Sequence, residues 1–208
     1  MTLRRRMGEG QFSCWPTPVV VRRWPRSEAF DQALVAAILA RRQVHPGITT
    51  SVAGGWQSEP DLLCWPLPEV TVLRQRISDV TRMLHDVVTA ALREAPAWNL
   101  VAEAWAVVHD EGHSHDLHSH PGSVWSGVYY AAVPEGPDAG GTLELLDPRP
   151  VARALVPQTD EWFQLEPQPA TMVAFPSWIL HRVAPVRKRG PRVCVAFNVG
   201  VPRGQVLR

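Results

Sequence analysis

Apolar positions between Ser27 and Arg41 recur at helical spacing, with Phe30, Leu34, Ala37 and Ile38 on one face. Ser27 is a suitable N-cap, Glu28 and Asp31 fall in the first turn, and Pro46-Gly47 must stop the helix. A longer helix opens at Pro68. Val70, Leu73, Ile77, Val80, Leu84, Val87, Val88 and Ala91 then recur at three and four until Pro96 closes it. Before these helices lie an irregular lead and one short strand at residues 17–23. Between them, Gly54-Gly55 marks a turn or bulge within residues 49–58. From Asn99 the period changes to two, and residues 100–109, 124–133, 142–146, 171–175, 180–183 and 193–201 read as strands. Glycine- and proline-rich turns separate them, at residues 134–141, 147–150 and 187–191.

Helices first and strands after, without βαβ alternation, predict an α+β chain built on an antiparallel barrel or jelly roll. The two amphipathic helices cannot bury their stripes against each other alone, so they are expected to back the sheet. Residues 1–208 are expected to form one domain, in which 1–98 supply the strand and helices and 99–202 the β core. A chain of 208 residues can bury a sizeable core without metal or disulfide support.

Charge narrows the function classes. Lys plus Arg (21) nearly balances Asp plus Glu (20), so no global field points to nucleic acid or an anionic membrane. The basic runs Arg4-Arg5-Arg6 and Arg187-Lys188-Arg189 are short enough to be a solvated terminus and loop. Three cysteines, Cys14, Cys64 and Cys194, are widely spaced and odd in number, which suits a reducing compartment. No apolar run approaches the ~20 residues of a membrane helix, and no apolar region backs the basic start as in a signal peptide. A cytoplasmic protein is expected, with its oligomeric state left open. Nine tryptophans hint at an aromatic pocket, although tryptophan usually serves the core.

Candidate chemistry is concentrated in one stretch. Five of the eight histidines lie between His109 and His120, ending in His118-Ser-His120. On an extended strand an i, i+2 pair projects both imidazoles from one face, which suits a borderline transition metal awaiting a third ligand. His181 alone lies downstream, next to an apolar run, where it can be a core residue or that ligand. Further along, Arg192, Cys194, Ala196 and Asn198 share one face of a strand. Turned inward, Arg192 would need an anion, and a small dicarboxylate would meet it through two parallel bonds; turned outward, it would be a rim residue.

These residues resemble a known family. His118-Ser-His-Pro-Gly-Ser123, Trp125-Ser-Gly-Val-Tyr-Tyr130, Asp147-Pro-Arg149, Phe175-Pro-Ser-Trp-Ile-Leu-His-Arg-Val183 and the run from Arg192 to Asn198 stand in the order seen in the iron(II)- and 2-oxoglutarate-dependent oxygenases. More narrowly, they are similar to a bacterial and phage group of that superfamily, and the likeness covers about residues 48–200, with Gly54-Gly55-Trp56 and Trp105 also in place. The resemblance implies a double-stranded β-helix (jelly roll, cupin-like) with Fe(II) in its mouth and 2-oxoglutarate as cosubstrate. His118 and His181 would be the first and last metal ligands, and Arg192 would bind the distal carboxylate. Tyr130, Ser126 and Asn198 are further cosubstrate candidates, with Tyr129 the alternative to Tyr130. Trp125, Trp178 and Trp56 are candidate walls of a substrate pocket or plain core.

The chain departs from the family at the acid. His120 stands where most such oxygenases have Asp or Glu, and three neutral imidazoles leave the site one negative charge short. Asp116 or Glu111 could supply a carboxylate if the loop folds back, or His120 could bind substrate and leave water on the metal. His109, His113 and His115 are expected in a loop or at the pocket rim.

Three functions remain open at this level. The resemblance implies a dioxygenase that uses O2 to hydroxylate an unactivated C–H of a small molecule, amino acid or peptide, with succinate and CO2 as coproducts. Three histidines and a water also describe a zinc hydrolase or lyase, which would not need Arg192. A non-catalytic metal-binding barrel would leave His181 far from the cluster.

Overall fold

The computed structural model of the chain describes residues 17–48, 52–90, 99–149 and 162–202. The expectations that rest on Arg4, Arg5, Arg6, Cys14, Thr49, Thr50, Ser51, Ala91, Pro96 and Pro150 lie outside those residues.

Two helices form where the apolar spacing places them. In α1 (Glu28–Val44) the Ser27 hydroxyl accepts a hydrogen bond from the Phe30 amide and so satisfies one free donor of the first turn. Leu34 and Ile38, one turn apart, are fully buried. In α2 (Pro68–Thr89) the proline stands at the first turn, where its missing N–H is not needed. Val70, Leu73, Ile77, Val80 and Leu84 form the buried stripe. The stripe stops there, because Val87 and Val88 are 58% and 38% exposed where the helix runs past the sheet. Neither helix is long and apolar enough to cross a membrane.

The strands are β1 (Val20–Arg23), β2 (Val52–Ala53), β3 (Trp56–Gln57), β4 (Val101–His109), β5 (Ser114–His118), β6 (Trp125–Ala132), β7 (Leu143–Leu146), β8 (Trp162–Leu165), β9 (Thr171–Pro176), β10 (His181–Val183) and β11 (Arg192–Gly200). The larger sheet runs β1-β9-β6-β11-β4-β3 and the smaller β2-β5-β10-β7-β8, with every pair antiparallel. The first strand begins at Val20 rather than residue 17. Four strands have no forecast in the sequence: β2 and β3 are two residues each on either side of Gly54-Gly55, β5 is too polar to show alternation, and β8 is a four-residue strand at a sheet edge.

Alternation on the larger sheet creates two cores. Ala104, Ala106, Tyr129, Val193, Val195 and Phe197 face the helices, with α1 against β6 and α2 against β9 and β1. Val107, Val128, Tyr130, Val173 and Phe175 face the smaller sheet, where Leu143, Leu145 and Val183 meet them.

One polar cluster ties the helices to the sheet. The Tyr129 hydroxyl donates to Asp31 Oδ1 at 2.6 Å and accepts from Arg76 at 2.6 Å. Burial raises the Asp31 carboxyl above its usual range, against the opposing pull of the Tyr129 hydrogen bond and of Arg76. Removing the hydroxyl with Tyr129→Phe leaves a buried carboxylate and a guanidinium without their shared partner. The expected loss is ~1–3 kcal/mol, measured by denaturant unfolding; an unchanged midpoint would mean that water replaces the hydroxyl.

Candidate active site

Register between β4, β11, β6 and β9 stacks the inward side chains into rows, each about 7 Å below the last along the strands. The outermost row is Glu103, Asn198, Ser126 and Phe175. Beneath it lie Trp105, Ala196, Val128 and Val173, then Val107, Cys194, Tyr130 and Thr171. The floor is His109 beside Arg192. With the inner face of the smaller sheet opposite, these rows enclose a cleft of about 260 Å³.

Three imidazoles converge on the opposite wall. One ligand nitrogen from each of His118, His120 and His181 lies within 4.8 Å of the others. His118 and His181 are cross-strand partners on β5 and β10, with ring centres 4.3 Å apart. His120 arrives differently from the expected i, i+2 pair on one strand. β5 ends at His118, and His120 reaches the same space from the following turn, its amide donating to the Ser177 carbonyl at 2.9 Å.

Backbone carbonyls fix two of the tautomers. Nδ1 of His118 donates to the Asp116 carbonyl at 2.6 Å, and Nδ1 of His181 to the Ile179 carbonyl at 2.9 Å. A carbonyl only accepts, so both Nδ1 atoms carry the proton and both Nε2 lone pairs are free. That is the state a metal needs. Burial, reinforced by the neighbouring His118, lowers His181 to about 3 and His120 to about 4. Both are therefore neutral donors at pH 7. Asp116 and Glu111 have exposed side chains and are not part of the group, so no carboxylate joins the three imidazoles among the described residues.

A β-bulge adds a fourth imidazole to the cleft. His118 pairs with His181 and His115 with Val183, so the two residues between them on β5 oppose one on β10. The extra residue turns His115 inward as well. It lines the cleft between His118 (ring centres 5.7 Å) and His109 (4.7 Å), rather than standing in a loop or at the rim. His109 also departs from that expectation, since it ends β4 and is wholly buried. His113 alone stays in a turn, where its Nδ1 accepts from the Asp110 amide at 3.0 Å.

Arg192 is 2% exposed, and no carboxylate pairs with it among the described residues. Its guanidinium lies 5.0 Å over the Tyr130 ring and donates to Cys194 Sγ at 3.2 Å. A second, long contact of 3.5 Å reaches His109 Nδ1, which must accept because guanidinium only donates. Arg192 Nε and the Tyr130 hydroxyl are buried with no partner. Gly141, at φ +68°, makes the room: a Cβ there would stand 2.8 Å from Arg192 Cδ. A buried charge left this way is unfavourable by several kcal/mol unless an anion meets it.

Other candidates separate by depth. Ser126 and Asn198 bond to each other at 2.7 Å in the outermost row, three rows above Arg192. The three tryptophans do not line the cleft. Trp125 and Trp56 are packed in the helix-side core because their strand positions face away, and Trp178 is 55% exposed on a turn. The tryptophan that does line it is Trp105, 5.8 Å from the His120 ring. Glu103, Trp105 and His109 share the parity of one strand, a signal present in the sequence; the bulge that turns His115 inward left none.

Comparison with known proteins places this arrangement. Residues 103–198 match the family described as "Putative 2OG-Fe(II) oxygenase". The stretch that carries the triad and Arg192 is thus similar to a 2OG-Fe(II) oxygenase domain. A search of curated proteins finds no match. Among solved structures, the chain is similar to a Pseudomonas putida prolyl-4-hydroxylase (15% identity, 89% of this chain and 94% of that one, TM-score 0.61). It is also similar to HygX from Streptomyces hygroscopicus with nickel and 2-oxoglutarate bound (12%, 92% and 86%, 0.60). A third is the viral collagen prolyl hydroxylase from Paramecium Bursaria Chlorella virus-1 in its 2-oxoglutarate complex (14%, 88% and 96%, 0.57). At these identities the likeness is one of fold, the double-stranded β-helix built on the two facing sheets.

His109 gives the folded chain a pH-dependent stability. Burial, with Arg192 second, lowers it to about 2 in the folded chain, against ~6.5 unfolded. Between those values the unfolded chain holds a proton that the folded chain excludes, so stability rises with pH and falls below about 6.5. His109→Gln is expected to flatten the decline in unfolding midpoint between pH 7.5 and 5. Equal slopes in the two proteins would mean that His109 does not contribute it.

Proposed function

We propose that this oxygenase hydroxylates an unactivated C–H of a small molecule, amino acid or peptide, with His118, His120 and His181 holding Fe(II) and Arg192 holding 2-oxoglutarate. The observation that carries the reading is the pairing of two features in one cleft. Three imidazoles with free, converging lone pairs stand on one wall, and a buried guanidinium without an anion stands at the floor.

The residues fit both groups. Imidazole suits iron(II) as well as zinc, and the carbonyl-anchored Nδ1 atoms of His118 and His181 leave the correct nitrogen available. The floor offers Arg192 Nε and the Tyr130 hydroxyl, both unsatisfied, to one carboxylate. A zinc hydrolase would leave these donors without purpose, which favours the dicarboxylate reading. When bound, iron would activate O2, the oxidant, with 2-oxoglutarate supplying two of its four electrons and the substrate C–H the other two, so that one oxygen atom goes to succinate, the other to substrate, and CO2 is released.

The chain's own residues bind, orient and exclude water. Arg192 fixes the distal carboxylate bidentately, and Tyr130 sets its rotation. Val107 keeps the wall between floor and triad apolar, and Val128 and Phe175 do the same beside the triad. His115, which burial and then His118 lower to about 3, stands neutral beside the cosubstrate and brings no further positive charge. Charge balance also matters. Three neutral ligands leave a divalent ion uncompensated, so a dianion is favoured by the metal and the guanidinium together.

The test is anaerobic titration of the iron(II) protein with 2-oxoglutarate, read as a visible charge-transfer band, with succinate release in air. Absence of both would overturn the reading. His181→Ala is expected to abolish the band by removing one metal ligand. Arg192→Leu is expected to weaken 2-oxoglutarate binding by ~2–3 kcal/mol, measured by the same titration; unchanged affinity would take Arg192 out of that role.

A further inference from the structure

We propose that Glu103 and Trp105 form a subsite for a cationic group, an ammonium or guanidinium, on the substrate of this oxygenase; the proposal rests on the oxygenase reading above. Among the described residues that line the cleft, Glu103 carries the single carboxylate. No lysine or arginine pairs with it among the described residues. Its one hydrogen bond among the described residues is long: Asn198 Nδ2 donates to Oε1 at 3.4 Å, while the Asn198 carbonyl oxygen is taken by the Ser126 hydroxyl at 2.7 Å. The chain Ser126–Asn198–Glu103 therefore fixes which way the amide faces and steadies the carboxylate. Glu103 Oε2 is left without a protein partner among the described residues.

Trp105 stands two residues further along β4 on the same inward face, one row deeper. An indole beside a carboxylate is a cation site of two complementary kinds, an ion pair and the negative face of a ring. Electrostatics elsewhere in the cleft makes the choice sharper. Arg192 occupies the floor, and a divalent metal at the triad would add two positive charges. A substrate cation is repelled from both, and Glu103 is the one group that offsets that repulsion.

Position gives the subsite a purpose. Phe175, in the same row as Glu103, lies 4.8 Å from the His181 ring, and Trp105 lies 5.8 Å from the His120 ring. The two outer rows are thus level with the triad, whereas Arg192 is deeper. A cation held by Glu103 sits across the cleft from the metal ligands, and the carbon presented to them is a few bonds from the charge. Ser126 and Asn198 then belong to the substrate end of the cleft.

The experiment is calorimetric titration of the full-length protein, with and without nickel(II) and 2-oxoglutarate so that no turnover occurs. The probes are Nα-acetyl-L-lysinamide and Nα-acetyl-L-argininamide, with Nα-acetyl-L-norleucinamide as the neutral counterpart of similar length. At least one cationic probe is expected to bind about tenfold or more tightly than the neutral one, with the advantage shrinking at high salt. Glu103→Gln is expected to erase that advantage while keeping the unfolding midpoint, since Glu103 is exposed. Trp105→Leu is expected to reduce it. No cation preference, or a preference that survives in Glu103→Gln, overturns the proposal. Succinate formation separates the two claims. Succinate without a cation preference removes the subsite and leaves the oxygenase, whereas a Glu103-dependent preference without succinate keeps the subsite and removes the oxygenase reading.

Discussion

A guanidinium that cannot lose its proton, buried at the bottom of the cleft, is the constraint around which this molecule is arranged. Each neighbour can be understood from it. Gly141 has no side chain because Arg192 fills that space, and His109 must be neutral because it stands against a permanent charge. Tyr130 offers its ring face below and an unused hydroxyl beside it. What the chain does not supply is an anion, so the folded state itself selects for a ligand that brings one.

The same strands serve two purposes, and this explains how rigid the cleft walls are. On β4, β6 and β11, every residue turned toward the cleft has neighbours turned toward the helices. Ala104 and Ala106 let the helix layer sit close, and Gly127 must lack a side chain because a Cβ would strike the Phe197 ring and the Val173 carbonyl. Anchoring through Asp31, Tyr129 and Arg76 then holds α1 and α2 over the back of the wall that carries Arg192 and Glu103. Ligand geometry is thus set by packing on the far face of the sheet.

Much of the architecture was legible in the sequence, for specific reasons. Ser27 and Pro68 mark helix starts by chemistry that needs no tertiary context, and period two in residues 192–198 put Arg192 on the same side as Cys194, Ala196 and Asn198. Trp125 and Tyr130 have opposite parity, so the exclusion of Trp125 from the cleft was available too. Other features were not. Ser114 to His118 is polar apart from the exposed Leu117, and its strand character comes from pairing with β10 and β2. The fate of His109 depended on where β4 ends, and that of Trp178 on a turn whose direction no local pattern encodes.

The bulge in β5 makes the pairing of that strand a chemical variable. In a regular strand, a one-residue slip flips a face and is punished by the loss of apolar burial. Here the one apolar side chain, Leu117, is exposed, so the hydrophobic penalty is weak, and the bulge between His115 and His118 instead decides where an imidazole points. Deleting the extra residue would leave a regular strand with both rings inward, whereas keeping it without the bulge would leave His118 opposite His181 and send the His115 ring to solvent. The space between triad and floor would in that case be wider and wetter. The middle of the cleft can therefore be tuned by how β5 pairs rather than by substitution, with every metal-facing histidine kept in place.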